Sequence, residues 1–349
     1  MGMDGKVARR CGLRLGLLCA VAAAFAVFSA SAYAAPPYPV SYSFQNALTA
    51  QGQAPDSSPP GANDFSCKPS AEHPEPVVLV HGLLANQTVN FQTISPLLAN
   101  DGYCVFSLTY GTLDRVNSPF YQPGGVSRME ASSQQLSAFV DRVLVATGAS
   151  KIDIVGHSEG SLMPDYYVKY GGGAAKVDKY VGLTTLWDGT NLGGMATLAQ
   201  LGAPLGLTPA LIGTVNQFCE SCDEFLNGSD FMTKLRAGGV ADPAVTYTNI
   251  VTQYDELVSP YTSGLMDPGP NVTNHVVQDS CSTDFAEHLT VAFDPVAETL
   301  IQNALAPDHP RPVPCTVVLP VVGAPMWPAP APLDSNGDGT PDYADVTHG

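Results

Sequence analysis

An α/β fold, a mainly parallel β-sheet with helices on both faces, is predicted by three features of this 349-residue sequence. Short apolar strand-like runs alternate with helical patterns from Val77 onward. A serine between two glycines follows one of those runs directly, and an acid and a histidine suited to work with it come later in the chain. Strand, helix, strand in alternation needs crossover connections, and those pair strands in parallel beneath two helical layers.

The strand-like runs cover 77–80, 104–108, 152–155, 180–186, 245–251 and 272–277. Between the second and third, Leu136, Phe139, Val140 and Val143 recur at helical spacing, and Gly148 supplies the expected helix end. From Val77 to Leu305 there are about 230 residues, enough for one such domain.

The flanks of that domain differ in character. Lys6, Arg9, Arg10 and Arg14 precede an apolar run over 15–28, and Ala32-Tyr33-Ala34 closes the segment with small residues, so 1–34 is predicted to be a secretory signal peptide and the protein extracellular. The run is too short and wrongly flanked for a retained transmembrane anchor. Residues 35–75, rich in Pro, Ser, Gly and Asn, are predicted to form an N-terminal arm. The catalytic domain is placed at 76–305, a proline-rich strap at 306–333 and a separate acidic tail at 334–349. Within the domain, 189–219 contains no charged residue and carries Leu192, Met195, Leu198, Leu201 and Leu205 among glycines and prolines. It lies where α/β domains insert a cap, drawn here at about 189–240, and is either an apolar lid or a buried helix pair.

Loss of 1–34 leaves eleven basic against thirty-one acidic residues, a net charge of −20. That excludes nucleic acid and anionic membranes as natural partners, and is accounted for by an acidic surface that keeps an exported monomer soluble. Of eight cysteines, six remain: Cys67, Cys104, Cys219, Cys222, Cys281 and Cys315. In an oxidising compartment an even count reads as disulfides, and nearest-neighbour pairing, 67 with 104, 219 with 222 and 281 with 315, is the expected pattern. A zinc or redox role for Cys219-Glu-Ser-Cys222 lacks a second cysteine pair or a nearby histidine.

Gly156-His157-Ser158-Glu159-Gly160 has the G-x-S-x-G form of a nucleophile elbow. The context supports it: 151–155 is strand-like, and 161–170 continues as a helix with Pro164 tolerated in the first turn. A serine nucleophile needs two donors for the oxyanion; one is the N–H of the next residue, Glu159, and the other is expected from Leu83, in the turn of His81-Gly82-Leu83 after the first strand. The base should follow an acid that itself follows the serine. Of His275, His288, His309 and His348, His288 stands just before a helical pattern, whereas the others fall in a strand-like run, the strap and the terminus. Asp255 follows a strand directly and is the preferred acid, with adjacent Glu256 and Asp188 as alternatives.

The stretches PVVLVHGLLAN, KIDIVGHSEGS, VTQYDELVSP and FAEHLTVAF, in that order and spacing, resemble the secreted class 2 bacterial lipases, especially the actinobacterial triacylglycerol lipases, over about residues 65–305. The resemblance implies an α/β-hydrolase fold, hydrolysis of lipid esters without an organic cofactor, triad roles for Ser158, Asp255 and His288, and oxyanion roles for Leu83 and Glu159. One departure is the acidic Glu159 where many such lipases carry Gln or Met. The substrate would then be a lipid or other ester met at an oil–water interface. A polyester hydrolase or acyltransferase with the same triad, and a non-catalytic calcium-dependent surface module on a hydrolase fold, are the rival readings.

The tail carries its own signal. Asp334, Asn336, Asp338, Asp342 and Asp345 occupy positions 1, 3, 5, 9 and 12 of a loop with Gly339 at position 6, and Thr340 would offer its carbonyl at 7, so a structural calcium ion is expected there.

Overall fold

The computed structural model describes residues 38–191 and 218–349. The signal peptide expected at 1–34 and most of the apolar segment 189–219 lie outside the described residues. Six strands form one parallel sheet: β1 (Val77–Val80), β2 (Val105–Leu108), β3 (Ile152–His157), β4 (Val177–Leu183), β5 (Thr246–Val251) and β6 (Val272–Val276). Their order is β2-β1-β3-β4-β5-β6, every neighbouring pair parallel. This is the parallel sheet expected from the alternation of runs, in the α/β-hydrolase architecture that the resemblance implied.

Helices cover both faces. On one side α3 (Met129–Thr147), α4 (Met163–Tyr170) and α5 (Asp230–Arg236) pack against Val78, Phe106, Ile154 and Tyr180. On the other, α1 (Phe44–Gln53), α2 (Ile94–Asn100) and α6 (Pro295–Leu305) meet Val77, Leu79, Val155 and Val181. Successive strand residues point to opposite faces, and because each face is roofed β1 and β2 are apolar nearly throughout instead of alternating, whereas the edge strand β6 is partly exposed and carries Thr273, Asn274 and His275. The helix anticipated around Leu136 buries Met129, Leu136, Val140 and Val143 on one stripe and ends at Gly148, whose φ of 79° is the left-handed conformation that glycine adopts at least cost.

Two elements differ from the sequence expectation. Strand β4 begins at Val177, not Tyr180, because Asp178 and Lys179 interrupt its apolar run. Lys179 Nζ lies 3.3 Å from the buried Asp153 of β3, and its N–H donates to the same carboxylate, so the charged start of the strand is paired inside the sheet. The arm holds a true helix, α1; Phe44, Ala47 and Leu48 keep the i, i+3, i+4 spacing, a short signal among polar residues.

All three disulfides pair as expected: Cys67–Cys104, Cys219–Cys222 and Cys281–Cys315. The third ties the strap to the loop that carries His288, and Phe44 N donates to Val322 O, so strap and arm meet. The tail closes on the body through a two-stranded antiparallel pair, Cys67–Lys68 with Thr347–His348. Among the described residues no helix is long and apolar enough to cross a membrane.

Candidate active site

Ser158 stands at the end of β3 where the strand breaks into a single helical turn, Ser158–Ser161, before α4. Its φ is 56°, a left-handed conformation costly for a residue with a side chain and characteristic of strained functional turns. The flanking glycines are required by space. A Cβ at Gly160 would lie 1.9 Å from Val80 O, and one at Gly156 would lie 1.9 Å from Gly160 O. Only a bare backbone lets the turn fold down onto β1 and leave the serine raised.

The three residues anticipated from chain order meet here. Ser158 Oγ is 2.8 Å from His288 Nε2, and His288 Nδ1 is 2.9 Å from both Asp255 carboxylate oxygens. Asp255 in turn accepts the N–H groups of Leu257 (3.0 Å) and Val258 (2.7 Å), which fix its orientation. With Asp255 accepting at Nδ1, the imidazole holds its proton there and presents Nε2 as acceptor to the serine hydroxyl. Burial opposes the charged imidazole, but Asp255, with Glu256 and Glu287 behind it, outweighs burial and raises the basicity of His288 above the ordinary histidine range.

The alternative candidates fall elsewhere. Glu256 points at the backbone of His288, accepting its N–H at 3.3 Å, and Asp188 pairs with Arg236 at 2.6 Å. His275 lies within β6, and His348 pairs with Asp64 at 2.8 Å.

The two expected oxyanion donors flank the serine. A Cβ on Gly82 would come within 3.1 Å of Ser158 Cβ, so this glycine lets the turn carrying Leu83 pass directly against the nucleophile. That turn is held by Leu84 N to Gly124 O (2.9 Å) and Gly124 N to Ala85 O (2.7 Å), neither of which uses the Leu83 amide. Glu159 is the second residue of the helical turn, and amides at a helix start have no partner within the helix. Sequence reading missed the polar brace behind them. Asn90 Oδ1 accepts Gly82 N–H at 3.0 Å and stands 3.1 Å from His157 Nδ1, while His157 Nε2 donates to His288 O at 2.9 Å. The neutral imidazole gives its one proton to His288 O and so ties elbow to base, while Asn90 beside it ties down Gly82 of the oxyanion turn. Burial pushes His157 down to about 3, so it acts as a neutral hydrogen-bonding strut. Its place inside the G-x-S-x-G run was the only available signal.

Ser158 and His288 open into a cavity of about 850 Å³. Its walls are apolar and come from distant parts of the chain: Phe44 and Leu48 from α1, Phe225 beyond the Cys219–Cys222 turn, Val258 after β5, and Pro320 and Val321 from the strap. Such a wall can take up an acyl chain while the polar groups at its floor handle the carbonyl.

The residues expected to hold calcium do not form a cation cage. Asp334 Oδ2 accepts Gly339 N (3.0 Å), Asn336 Oδ1 accepts Asp338 N (3.0 Å) and Asp338 Oδ1 accepts Thr340 N (2.7 Å), bonds internal to the turn. Asp342 turns inward, 2.9 Å from His73 Nε2 and accepting Ser335 N at 2.9 Å, and Asp345 stays in the exposed turn that follows. Among the described residues no three His, Cys, Asp or Glu side chains gather as metal donors. Asp342, expected at loop position 9, is thus paired with a histidine.

The chain is similar to known proteins. The family model described as Lipase (class 2) matches residues 74–300. Triacylglycerol lipases of Pseudarthrobacter phenanthrenivorans and Burkholderia plantarii are each 32% identical over 96 residues, 26% of this chain and 27% and 24% of theirs. The chain therefore aligns with about a quarter of the length of these curated relatives. Lipase B of Aspergillus fumigatus is similar in fold, with a TM-score of 0.53 at 19% identity, over 81% of this chain and 62% of that one.

Proposed function

The chain belongs to the class 2 lipase family, and from that premise we propose that it is a serine hydrolase of carboxylic esters that works on lipid esters through an acyl-enzyme. The observation that carries the reading is the Ser158–His288–Asp255 array at 2.8 and 2.9 Å on the floor of an apolar cavity. In this reading Ser158 Oγ attacks the ester carbonyl as His288 Nε2 takes its proton. Asp255 keeps the imidazole oriented and stabilises it when charged, and the amides of Leu83 and Glu159 receive the oxyanion. His288 then returns the proton to the departing alcohol, and water activated by the same base frees the acid. Export after loss of 1–34 is part of the proposal, supported by the three disulfides.

The test is the initial rate on p-nitrophenyl esters of short to long acyl chains, for the wild type beside Ser158→Ala. A fall in kcat of about 10⁴- to 10⁶-fold in the variant is expected. Persistence of wild-type activity on long chains supports the lipid-ester substrate, and activity confined to short chains reduces the reading to an esterase. Unchanged turnover in Ser158→Ala removes it.

A further inference from the structure

Next to the nucleophile lies an acid that the reaction as described does not use. The side chain of Glu159 is fully buried, and neither carboxyl oxygen has a hydrogen-bond donor among the described residues. A buried carboxylate without donors or a cation is among the costliest groups a fold can hold, and it survives by keeping its proton. The neighbours favour the protonated form. Tyr110 lies beside the carboxyl and opposes the effect of burial there, but its hydroxyl proton is committed to His81 O at 2.7 Å. His81, stacked on Tyr110, is itself buried and uncharged, held down to about 4 by burial. The other facing group is a second carboxyl, Glu224, which adds to the effect of burial in driving Glu159 upward. Glu224 meets Arg128 at 2.6 Å and the N–H of Met129 at 2.7 Å, yet burial and the adjoining Glu130 push it up to about 8.

The position of that acid matters for the site. Gly125 passes between it and the oxyanion turn: a Cβ there would lie 2.4 Å from Glu159 Oε2 and 3.1 Å from Leu83 Cα. From outside, Ser221 Oγ in the Cys219–Cys222 turn donates to Gly125 O at 2.5 Å. Gly125 is gripped from both sides, and its neighbour Gly124 exchanges hydrogen bonds with the turn that bears Leu83.

We propose that Glu159 is a positioning residue for ester cleavage, an uncharged acid that presses Gly125 against Leu83 and so sets the Leu83 amide at the oxyanion. When it ionises, a negative charge arrives behind the site where negative charge must develop, in surroundings of low dielectric. The loss falls on the transition state and therefore on kcat, not on KM. The inference rests on the hydrolase reading above and adds an alkaline limit to it.

The test is the pH profile of kcat and KM on a p-nitrophenyl ester for the wild type, Glu159→Gln and Glu159→Ala, each corrected with Ser158→Ala. Glutamine keeps the shape and cannot ionise. In the wild type kcat is expected to fall by about ten- to a hundredfold on the alkaline side, short of the 10²–10³ that outright loss of an oxyanion donor costs. Glu159→Gln should lack the alkaline fall, whatever its kcat at neutral pH, while Glu159→Ala loses at least about tenfold in kcat at every pH. Melting temperature against pH gives a readout free of catalysis. The folded-state affinity for the proton exceeds that of the unfolded chain, so the wild type loses stability as pH rises and Glu159→Gln loses less. An alkaline fall that persists in Glu159→Gln overturns the proposal. Absence of hydrolysis in the wild type overturns the hydrolase reading with it, whereas an active wild type with that pattern sinks the role of Glu159 alone.

Discussion

The turn around Ser158 and the tail over 334–345 both look, in sequence, like compact loops with glycines at fixed offsets and polar ligands between them. In the folded chain they are held by different means. The elbow is fixed by its immediate surroundings: β3 runs into it, α4 leads out, and Gly156 and Gly160 press on backbone at distances no Cβ could share. The tail is fixed by a remote partner. Asp342, while still accepting Ser335 N in its own loop, reaches out of it to His73, and Gly102 packs on it so closely that a Cβ there would lie 2.7 Å from the Asp342 carbonyl carbon. A local pattern is a faithful guide to chemistry when local sterics fix the conformation, and a poor one when a buried group elsewhere has a stronger claim on the same side chain.

The sharpest way to break this contrast is within the site. Asp255→Asn should lower kcat by about 10⁴-fold, because an amide in place of the carboxylate turns the imidazole to the wrong tautomer, whereas Glu256→Gln should stay within about tenfold of wild type. Equal losses in a steady-state assay would show that the two neighbouring acids share the orienting role. Next in size, Gly160→Ala should destabilise the fold by about 3 kcal/mol or more and leave little active protein, since backbone O of Val80 cannot move away without breaking the sheet. A variant with the wild-type denaturation midpoint would mean that the elbow has more slack than its distances imply.

The tail is expected to answer more weakly. Asp342→Ala removes the acceptor of a buried histidine and should cost about 1–3 kcal/mol in denaturant unfolding while kcat stays unchanged. The interaction has a pH signature. Burial outweighs Asp342 and lowers the affinity of His73 for a second proton below the ordinary value, so the folded form binds that proton less readily than the unfolded chain. Stability from this site is therefore full above about pH 6.5, the unfolded histidine value, and is lost as pH falls below it. Smallest of all, millimolar calcium or a chelator should shift the melting temperature by less than about 1 °C. A rise of several degrees with calcium that Asp342→Ala abolishes would show that the ion displaces His73 and restores the loop reading.

The same distinction explains how much of the molecule was legible in its sequence. Five of the six strands were placed to within a residue or two: those inside the sheet are buried on both faces and read as mainly apolar runs, and the partly exposed edge strand β6 is bounded by valines; β4 was blurred by Asp178 and Lys179, and Lys179 has its partner Asp153 on another strand. Ser158, Asp255 and His288 were found because chain order and strand ends constrain where such groups can stand. Asn90, which holds Gly82 of the oxyanion turn, and His157, which holds the backbone of the base, were not, since nothing in their local pattern marks a residue whose role is to brace a distant loop. The walls of the cavity were hidden for a like reason: Phe44 and Val321 lie almost three hundred residues apart and come together only through the Cys281–Cys315 tie and the contact of strap with arm.

The most direct measurement is covalent labelling of the exported chain with a fluorophosphonate, followed by mass analysis of the modified peptide, beside a His288→Ala control. A single adduct on Ser158, formed rapidly in the wild type and slowed by orders of magnitude without the imidazole, is the expected result. An adduct on another residue, or a folded wild type that takes up no label, would contradict the assignment of Ser158 as an activated nucleophile.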